Sequence, residues 1–290
     1  MASMLDTQSL PPVPVPPTSL FVREGRGVYA FVARNVHLVR RYWGWEIAFF
    51  VFTVANSLSI MYIGKAQQAV NSPEATQRLI LYLGIGTLVW SYLRAVFDSI
   101  SEMIAWERWE GTIEYTMMAP VSRLTHLLGT ALFSIVYGVV RTGILLVILS
   151  SFFRVDLSHV DATGAAIVLL IGSLSFVGVG MVAAILPLLF PERGAEMTFV
   201  ISGILLLVSG VYYPVSVLPG WMQPFATVSP ATYVLRGMRS AILDGQSVTH
   251  LGGTLLPLLF IGLLSIPIGM WVFGIVERYA KRTGKLKRSG

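Results

Sequence analysis

The stretch Glu102–Arg123, which reads EMIAWERWEGTIEYTMMAPVSR, decides the fold because it separates two long apolar runs with the most acidic segment of the chain. On a helix of about 3.6 residues per turn, spacings of three and four residues predict that Glu107, Glu110 and Glu114 lie on one face. Like charges on one stripe repel each other. We therefore expect this face to be either solvated, as part of an acidic loop, or matched to a basic partner.

The composition predicts that lipid is the solvent for most of the chain. Hydrophobic residues make up 54% of the 290 residues, charged residues make up 12%, and the mean hydropathy is +0.71. A soluble domain of this length could not bury so much apolar surface. In a membrane protein, the net charge of +6 reflects Lys and Arg retained on the cytoplasmic side rather than nucleic-acid binding. The absence of cysteine excludes disulfides and thiolate metal sites, and no metal centre is predicted.

Six apolar stretches predict six membrane passages, since each is long enough to cross about 30 Å of hydrocarbon as a helix. They cover residues 47–63, 79–97, 127–153 and 164–190, a fifth stretch that begins near Met197, and residues 251–276. The predicted fold is an all-α polytopic membrane protein with six transmembrane helices.

The segment between the fifth and sixth stretches, residues 212–243, predicts an outer hairpin. Proline removes a backbone donor, and broken backbone in lipid is tolerated only where protein or water covers it. We expect a helix to about Val211, followed by a re-entrant hairpin that dips into the outer leaflet. If the chain encloses a passage, this hairpin is placed to close its extracellular end, and the predicted gate residues are Tyr212, Tyr213, Pro214, Pro219, Trp221 and Pro230.

The helix predicted for residues 28–43 is amphipathic. Its valines form one stripe, and Arg34, His37 and Arg41 lie almost opposite. This pattern indicates a helix that lies in the membrane interface, with its basic side reaching lipid phosphate.

The predicted domain order places the whole transmembrane domain in residues 28–276. Residues 1–27 form a proline-rich cytoplasmic leader that we expect to be disordered, and residues 277–290 form a basic cytoplasmic tail. Most of the 21 Lys and Arg residues fall on the side of these two ends. The positive-inside rule therefore predicts that both termini are cytoplasmic, with the acidic segment inside and the hairpin outside.

Two motifs resemble ABC-2 type exporter permeases, a superfamily that includes daunorubicin-type drug exporters and polysaccharide exporters. The first, in Glu107–Arg123, is E-R-x-x-G-T-I-E-Y-x-x-x-A-P-V-S-R. The second, Ser209–Arg239, begins S-G-V-Y-Y-P-V-S-V-L-P-G-W and ends Y-V-L-R-G-M-R. Both occur in the expected order, so the resemblance covers the chain after about Val28.

The resemblance implies a subunit that works with partners. In such permeases the acidic segment, here residues 102–123, docks on a separate P-loop ATPase and passes its closure to the membrane helices. The coupling residues that the resemblance implies are Glu107, Glu110, Gly111, Thr112, Glu114, Pro120 and Arg123. It further implies two ATPase subunits that hold ATP and Mg²⁺, and a second permease that is either identical or a paralogue. The expected activity is ATP-driven export of a hydrophobic or amphipathic drug, lipid or glycan-lipid across a bacterial or archaeal cytoplasmic membrane.

The chain shows no nucleotide site of its own and no catalytic motif, so we do not expect it to be an enzyme. Its two Gly-Lys pairs, at Gly64 and Gly284, lack the upstream glycine and the following Ser or Thr of a P-loop. The alternatives are a secondary transporter driven by an ion gradient and a membrane scaffold that transports nothing. Secondary transporters typically carry inverted repeats and acidic residues near the bilayer centre, and this sequence displays neither pattern.

Three charged residues within the predicted spans need compensation, because a charge in hydrocarbon costs about 2.5–3.5 kcal/mol on insertion scales. Arg94 and Asp98 are four residues apart, which favours a local ion pair, with a role in lining the pathway as the alternative. Arg141 has no partner nearby in the sequence. It could meet an acidic residue of another helix, an anionic lipid or an anionic substrate.

Overall fold

The computed structural model describes residues 19–119, 121–153 and 160–283, and the fold of these residues is entirely helical. The helices are α1 (Leu20–Arg41), α2 (Trp43–Ala66), α3 (Pro73–Ser101), α4 (Met103–Glu110), α5 (Ile113–Met118), α6 (Arg123–Phe153), α7 (Ala162–Ala183), α8 (Ile185–Leu189), α9 (Gly194–Val208), α10 (Gln223–Val228), α11 (Pro230–Leu243) and α12 (Gly252–Arg282). Short 3₁₀ turns lie at Gln67–Ala69, Val215–Val217 and Val248–His250. The all-α class predicted from the sequence is confirmed.

Five helical segments of the described chain are long and apolar enough to cross a membrane. They are Trp43–Ala69, Pro73–Ser101, Arg123–Phe153, Ala162–Leu189 and Gly252–Arg282. The apolar helix α9 has only 15 residues. At about 1.5 Å per residue it spans about 22 Å, which is less than the thickness of the hydrocarbon core. The predicted count of six transmembrane helices is therefore not confirmed, because the described residues contain five helices of sufficient length and one short apolar helix.

The core of the molecule lies around α3 and α7. Tyr92 of α3 is 1% exposed, and its hydroxyl lies 2.6 Å from the hydroxyl of Ser173 on α7. On its other side α7 packs closely on α12, where Ser175 Oγ donates to the carbonyl of Leu258 at 2.9 Å. A side chain at Gly178 would collide with Ser265 of α12. Small residues thus allow close helix packing, as in other membrane helix interfaces.

The amino-terminal helix begins earlier than the sequence predicts. Helix α1 starts at Leu20, where the Ser19 hydroxyl caps the first turn, whereas the leader was expected to extend to residue 27. Its first half packs on α6, because Gly27 and Gly129 let the two backbones approach each other. Residues 1–18 of the predicted leader lie outside the described residues.

Helix α9 begins beside α8, and helix α11 packs on α7. Gly194, the first residue of α9, contacts Pro187 of α8, which follows α7 in the chain. In α11, Val234 contacts Gly172 and Gly237 contacts Val168, closer to the start of α7. Between them, the hydroxyls of Ser209 and Ser229 lie 2.7 Å apart, so the chain leaves α9 and returns to α11 at the same level.

The insertion between Ser209 and Ser229 is the segment in which the sequence predicts a hairpin. It contains Gly210 at φ 70°, the turn Val215–Val217 and helix α10. Helix α9 ends at Val208, three residues before the predicted end at Val211. Helix α11, which the sequence assigned to the hairpin, is an amphipathic helix whose apolar face is buried on α3 and α7.

The carboxyl-terminal helix is longer than expected. Helix α12 continues to Arg282, six residues past the predicted boundary at residue 276. The extra turns carry Glu277, whose carboxylate lies 2.9 Å from Arg123 and 2.8 Å from Lys281. These ion pairs stabilise the helix where the sequence alone indicated a basic tail. Residues 284–290 of that tail lie outside the described residues.

Candidate functional site

The acidic segment folds as two short helices rather than one. Helix α4 ends at Glu110, and Gly111 adopts a left-handed conformation with φ 74° that favours glycine at a helix end. The backbone of Thr112 then donates to the carbonyl of Glu107 at 2.8 Å, and α5 begins at Ile113. The prediction that Glu107, Glu110 and Glu114 share one helical face is therefore wrong, since the turn redirects Glu114. Pro120 lies outside the described residues.

Glu107 is buried rather than presented to solvent. Its side chain is 0% exposed, and its Oε1 accepts a hydrogen bond from Arg34 Nη1 of α1 at 2.6 Å. His126 of α6 lies on the other side, with Nε2 3.1 Å from the same oxygen, and its ring stacks on Phe31 at 4.2 Å. Glu107 thus joins α4 to both α1 and α6.

The surroundings of Glu107 lower its pKa below the ordinary value. Burial acts in the opposite direction, since it disfavours the carboxylate. The interactions with His126 and Arg34 together outweigh this desolvation. Glu107 and Arg34 therefore form an ion pair at neutral pH, and the carboxylate of this pair is fully buried.

The other two predicted acidic residues face outward to different degrees. Glu110 is half-buried and lies 3.4 Å from the hydroxyl of Tyr42. Glu114 is exposed at the start of α5, beside Tyr115 and Met118, which are 76% and 74% exposed. Together with Trp109, 61% exposed, these residues define what we call the α5 edge: Trp109, Glu114, Tyr115 and Met118.

Internal contacts also anchor both flanks of the segment. Arg108 donates to the carbonyl of Leu188 at 3.0 Å. Arg123 donates to the carbonyl of Thr116 at 3.1 Å and pairs with Glu277 of α12. Sequence reasoning assigned Arg123 to coupling but did not find Glu277, because the two residues are 154 positions apart.

Glu102 lies at the junction of α3 and α4. Burial, and then the neighbouring Asp98 carboxylate, raise the pKa of Glu102 to about 7, while Arg94 acts in the opposite direction. This carboxyl group changes charge near neutral pH, at the point where the long helix α3 meets the acidic segment.

The three basic residues predicted for the interfacial helix do not share one environment. Arg34 points to Glu107, whereas His37 and Arg41 are exposed. The Nδ1 of His37 lies 2.7 Å from the carbonyl of Ala33. Nearer the start of α1, Glu24 accepts hydrogen bonds from the hydroxyls of Thr125 and Ser122. Helix α1 is therefore bound to α6 by polar contacts as well as by packing.

The charges within the spans have partners in the structure. Arg94 and Asp98 form an ion pair at 3.2 Å. Arg141 Nη1 lies 3.7 Å from Glu46 Oε2 of α2, and the same oxygen accepts a hydrogen bond from Tyr137 at 2.9 Å. Of the three possible partners for Arg141, the structure supplies the acidic residue of another helix. Sequence reasoning did not identify Glu46 as the partner of Arg141. The signal that could have indicated it is an acidic side chain at the edge of the first predicted span.

The residues that the sequence predicts to form a gate lie in and beside the insertion after α9. Tyr213 donates to the carbonyl of Leu207 at 2.7 Å, Tyr212 packs against the core, and Pro230 is the buried first residue of α11. Trp221 is 72% exposed, and Pro214 and Pro219 are also exposed.

Arg239 of α11 holds the broken backbone of this insertion, and sequence reasoning did not identify it. Its guanidinium donates to the carbonyls of Gly210 and Val211 at 2.9 and 2.6 Å, and it stacks on Tyr82 of α3 at 3.5 Å. A single side chain thus satisfies two carbonyls that α9 leaves without helical partners.

A cavity of about 140 Å³ lies between α1, the start of α2, the α3–α4 junction and α6. Its wall combines aromatic and polar side chains, among them Tyr42, Trp45, Trp106, Phe133, Arg34, Glu46, Ser99 and His126. No sequence motif predicted this cavity, because four separate segments contribute to it.

Comparison with known proteins agrees with this arrangement. No curated protein matches the chain. The family model for the ABC-2 type transporter matches residues 26–243, from the first turns of α1 to the end of α11. The match includes the acidic segment and the insertion after α9, and it covers well over half of the chain. The chain therefore belongs to the ABC-2 type transporter family and is a membrane permease component of an ABC transporter.

Proposed function

We propose that the chain is the permease subunit of an ATP-driven exporter that moves a hydrophobic or amphipathic solute out of the cytoplasm or the inner leaflet. The energy comes from a separate P-loop ATPase, present in two copies, which holds ATP and Mg²⁺. The permease pairs with a second copy or a paralogue in a bacterial or archaeal cytoplasmic membrane. Membership of the ABC-2 family supports the association with an ABC ATPase.

The observation that carries this proposal is that the acidic segment has two sets of residues in different environments. One set is the exposed α5 edge. The other set, which we call the buried anchor, consists of Glu107 and Arg123, whose side chains bind other helices. The α5 edge presents two aromatic rings, a methionine and the Glu114 carboxylate to solvent. Aromatic residues and methionine are enriched at protein interfaces, and a rim carboxylate favours a basic partner. The α5 edge is therefore the ATPase-docking surface in this proposal.

The buried anchor transmits movement of the α5 edge. Glu107 contacts α1 and α6, and Arg123 joins Thr116 of α5 to Glu277 of α12. Separating a buried ion pair is costly, so these helices follow the segment when it moves. Glu107 acts through Arg34 and His126, and direct contact with the ATPase falls to Glu114 and its aromatic neighbours.

The proposed topology has both termini in the cytoplasm and a composite fifth span. Helices α9 and α11 have 15 and 14 residues, or about 22 and 21 Å at 1.5 Å per residue. Together they are long enough to cross the hydrocarbon core, with residues 209–229 inserted between them as the re-entrant hairpin. Contacts along α7 support this order, as does the Ser209–Ser229 hydrogen bond.

Charge reversal at the α5 edge tests the proposal. The chain is co-expressed with the P-loop ATPase, and complex assembly and ATP hydrolysis are measured in proteoliposomes. We expect Glu114→Lys to weaken assembly, with no effect from Glu74→Lys, an exposed residue on the opposite side in the proposed topology. Normal assembly with Glu114→Lys and with Tyr115→Ala would exclude the α5 edge as the docking surface.

A further inference from the structure

The cavity beside α1 combines features that suit a particular class of ligand. Its volume of about 140 Å³ is close to that of an engineered cavity of about 150 Å³ that admits benzene. Aromatic rings form a large part of its wall, and the rings of Tyr42 and Trp106 lie 6.3 Å apart. The volume is therefore sufficient for one aromatic ring or one small head group packed against these side chains.

Arg34 and Glu46 are the side chains of formal charge in the wall of the cavity. Arg34 is neutralised by Glu107 at 2.6 Å. Glu46 accepts a hydrogen bond from Tyr137 at 2.9 Å and lies 3.7 Å from Arg141, and its side chain remains 32% exposed. Arg141 does not line the cavity but lies over the ring of Phe50 and near Thr53. A carboxylate surrounded by aromatic rings attracts an organic cation.

The buried histidine of the wall is already matched to a protein group. The His126 side chain lines the cavity and is 3% exposed, and its Nε2 lies 3.1 Å from Glu107 Oε1. Arg34 and His126 both face Glu107, so Glu46 is the carboxylate that the cavity wall itself presents.

We infer that this cavity is a binding site for an amphipathic organic cation, with the substituted ammonium group beside Glu46 and an apolar body among Tyr42, Trp45 and Trp106. The inference rests on the proposed export function, because it names the chemical class of solute that the permease takes up at its cytoplasmic face. A free solute and a lipid with an ammonium head group share this chemistry.

A matched set of small probes tests the charge requirement. Benzyltrimethylammonium, phenylmethanesulfonate and benzyl methyl sulfone are similar in size and carry positive, negative and zero charge. Binding to the full-length chain in maltoside micelles is measured by titration calorimetry. We expect saturable binding of the cation and at least about tenfold weaker binding of the other two probes.

Two variants assign the binding to this cavity. Glu46→Gln should weaken binding of the cation about tenfold, whereas Glu196→Gln, exposed on α9, should not. Ser99→Phe fills the cavity without changing any charge and should abolish binding. Its control is Ser59→Phe on the exposed side of α2, because both serines donate to the carbonyl four residues earlier. Ser99→Phe keeps the test valid if Glu46→Gln disturbs Arg141 and the fold.

The outcomes separate this inference from the proposed function. Equal binding of all three probes, or binding unaffected by Ser99→Phe, would overturn the cation site. Neither result bears on assembly with the ATPase, which depends on the α5 edge. Weaker binding in phosphatidylcholine nanodiscs than in maltoside would support a lipid ammonium group as the occupant, and equal binding would support a free solute.

Discussion

Arg34 Nη1 of α1 lies 2.6 Å from Glu107 Oε1 of α4, and the Glu107 side chain is completely buried. This ion pair connects two elements that the sequence assigned to different partners, the lipid surface and the ATPase. Because a buried carboxylate without its cation is unfavourable, α1 and the coupling segment are expected to move together. In the proposed function, the amino-terminal helix would therefore follow the movement of the acidic segment.

The first prediction concerns the energy of this pair. Arg34→Ala leaves the Glu107 charge without its closest cation and should destabilise the fold by about 3–5 kcal/mol. Arg34→Ala combined with Glu107→Gln should recover part of that loss, because no uncompensated charge remains. Thermal unfolding of the purified variants in one detergent measures both effects.

Arg41→Ala provides the control for the Arg34 variants. Arg41 is exposed on the same helix, so its removal should change stability little. If the double variant were no more stable than Arg34→Ala alone, the two residues would not be energetically coupled.

Sequence reasoning predicted the position of the acidic segment between two apolar runs, but not the internal contacts of the segment. The acidic residues, Gly111 and the flanking apolar runs are local signals, and the turn at Gly111 follows from them. Helical periodicity could not predict that Glu107 is buried, because its partner Arg34 is 73 positions away. The same limit hid the pairing of Glu46 with Arg141, because these two residues are 95 positions apart.

The hairpin region shows the same division between local and distant signals. Its prolines correctly predicted that the helical backbone is interrupted after the end of α9, because proline removes backbone hydrogen-bond donors. The sequence did not indicate that Arg239 would bind the freed carbonyls of Gly210 and Val211. That contact depends on how α11 packs against α3, which only the folded chain determines.

The second prediction concerns the pH dependence of stability at Glu102. Its pKa is about 7 in the folded protein and has an ordinary value of 4.5, so between these values the folded state holds more protons than the unfolded state. Stability should therefore fall as pH rises from about 4.5 to 7 and change no further above that range through this group. Glu102→Gln should be more stable than the parent at pH 8 and similar to it near pH 4.5.

Thermal unfolding across this pH range measures the effect of Glu102. Glu192→Gln, at an exposed turn position, is the matched control and should leave the pH profile unchanged. A Glu102→Gln profile parallel to that of the parent would contradict the assigned protonation change.

The third prediction concerns Arg239 and its neighbour on the same helix. Arg239→Gln removes donors from two carbonyls and should cost about 1–3 kcal/mol for each carbonyl left buried without a partner. Arg236→Gln, at an exposed position near Tyr233, should cost far less. Equal melting temperatures for the two variants would show that the insertion does not depend on Arg239.

The last prediction concerns the side of the membrane that the insertion after α9 faces. The chain has no cysteine, so single cysteines can be placed without background. Val217→Cys should react with an impermeant thiol reagent added outside the cell, because Val217 is 70% exposed. Leu218→Cys should react slowly, since the adjacent Leu218 is only 8% exposed.

The same cysteine variant tests whether the insertion gates the pathway. If it does, trapping ATP on the partner ATPase should change the reactivity of Val217→Cys. Reaction of Val217→Cys only after the cytoplasmic face is opened to the reagent would refute both the proposed topology and the outer gate.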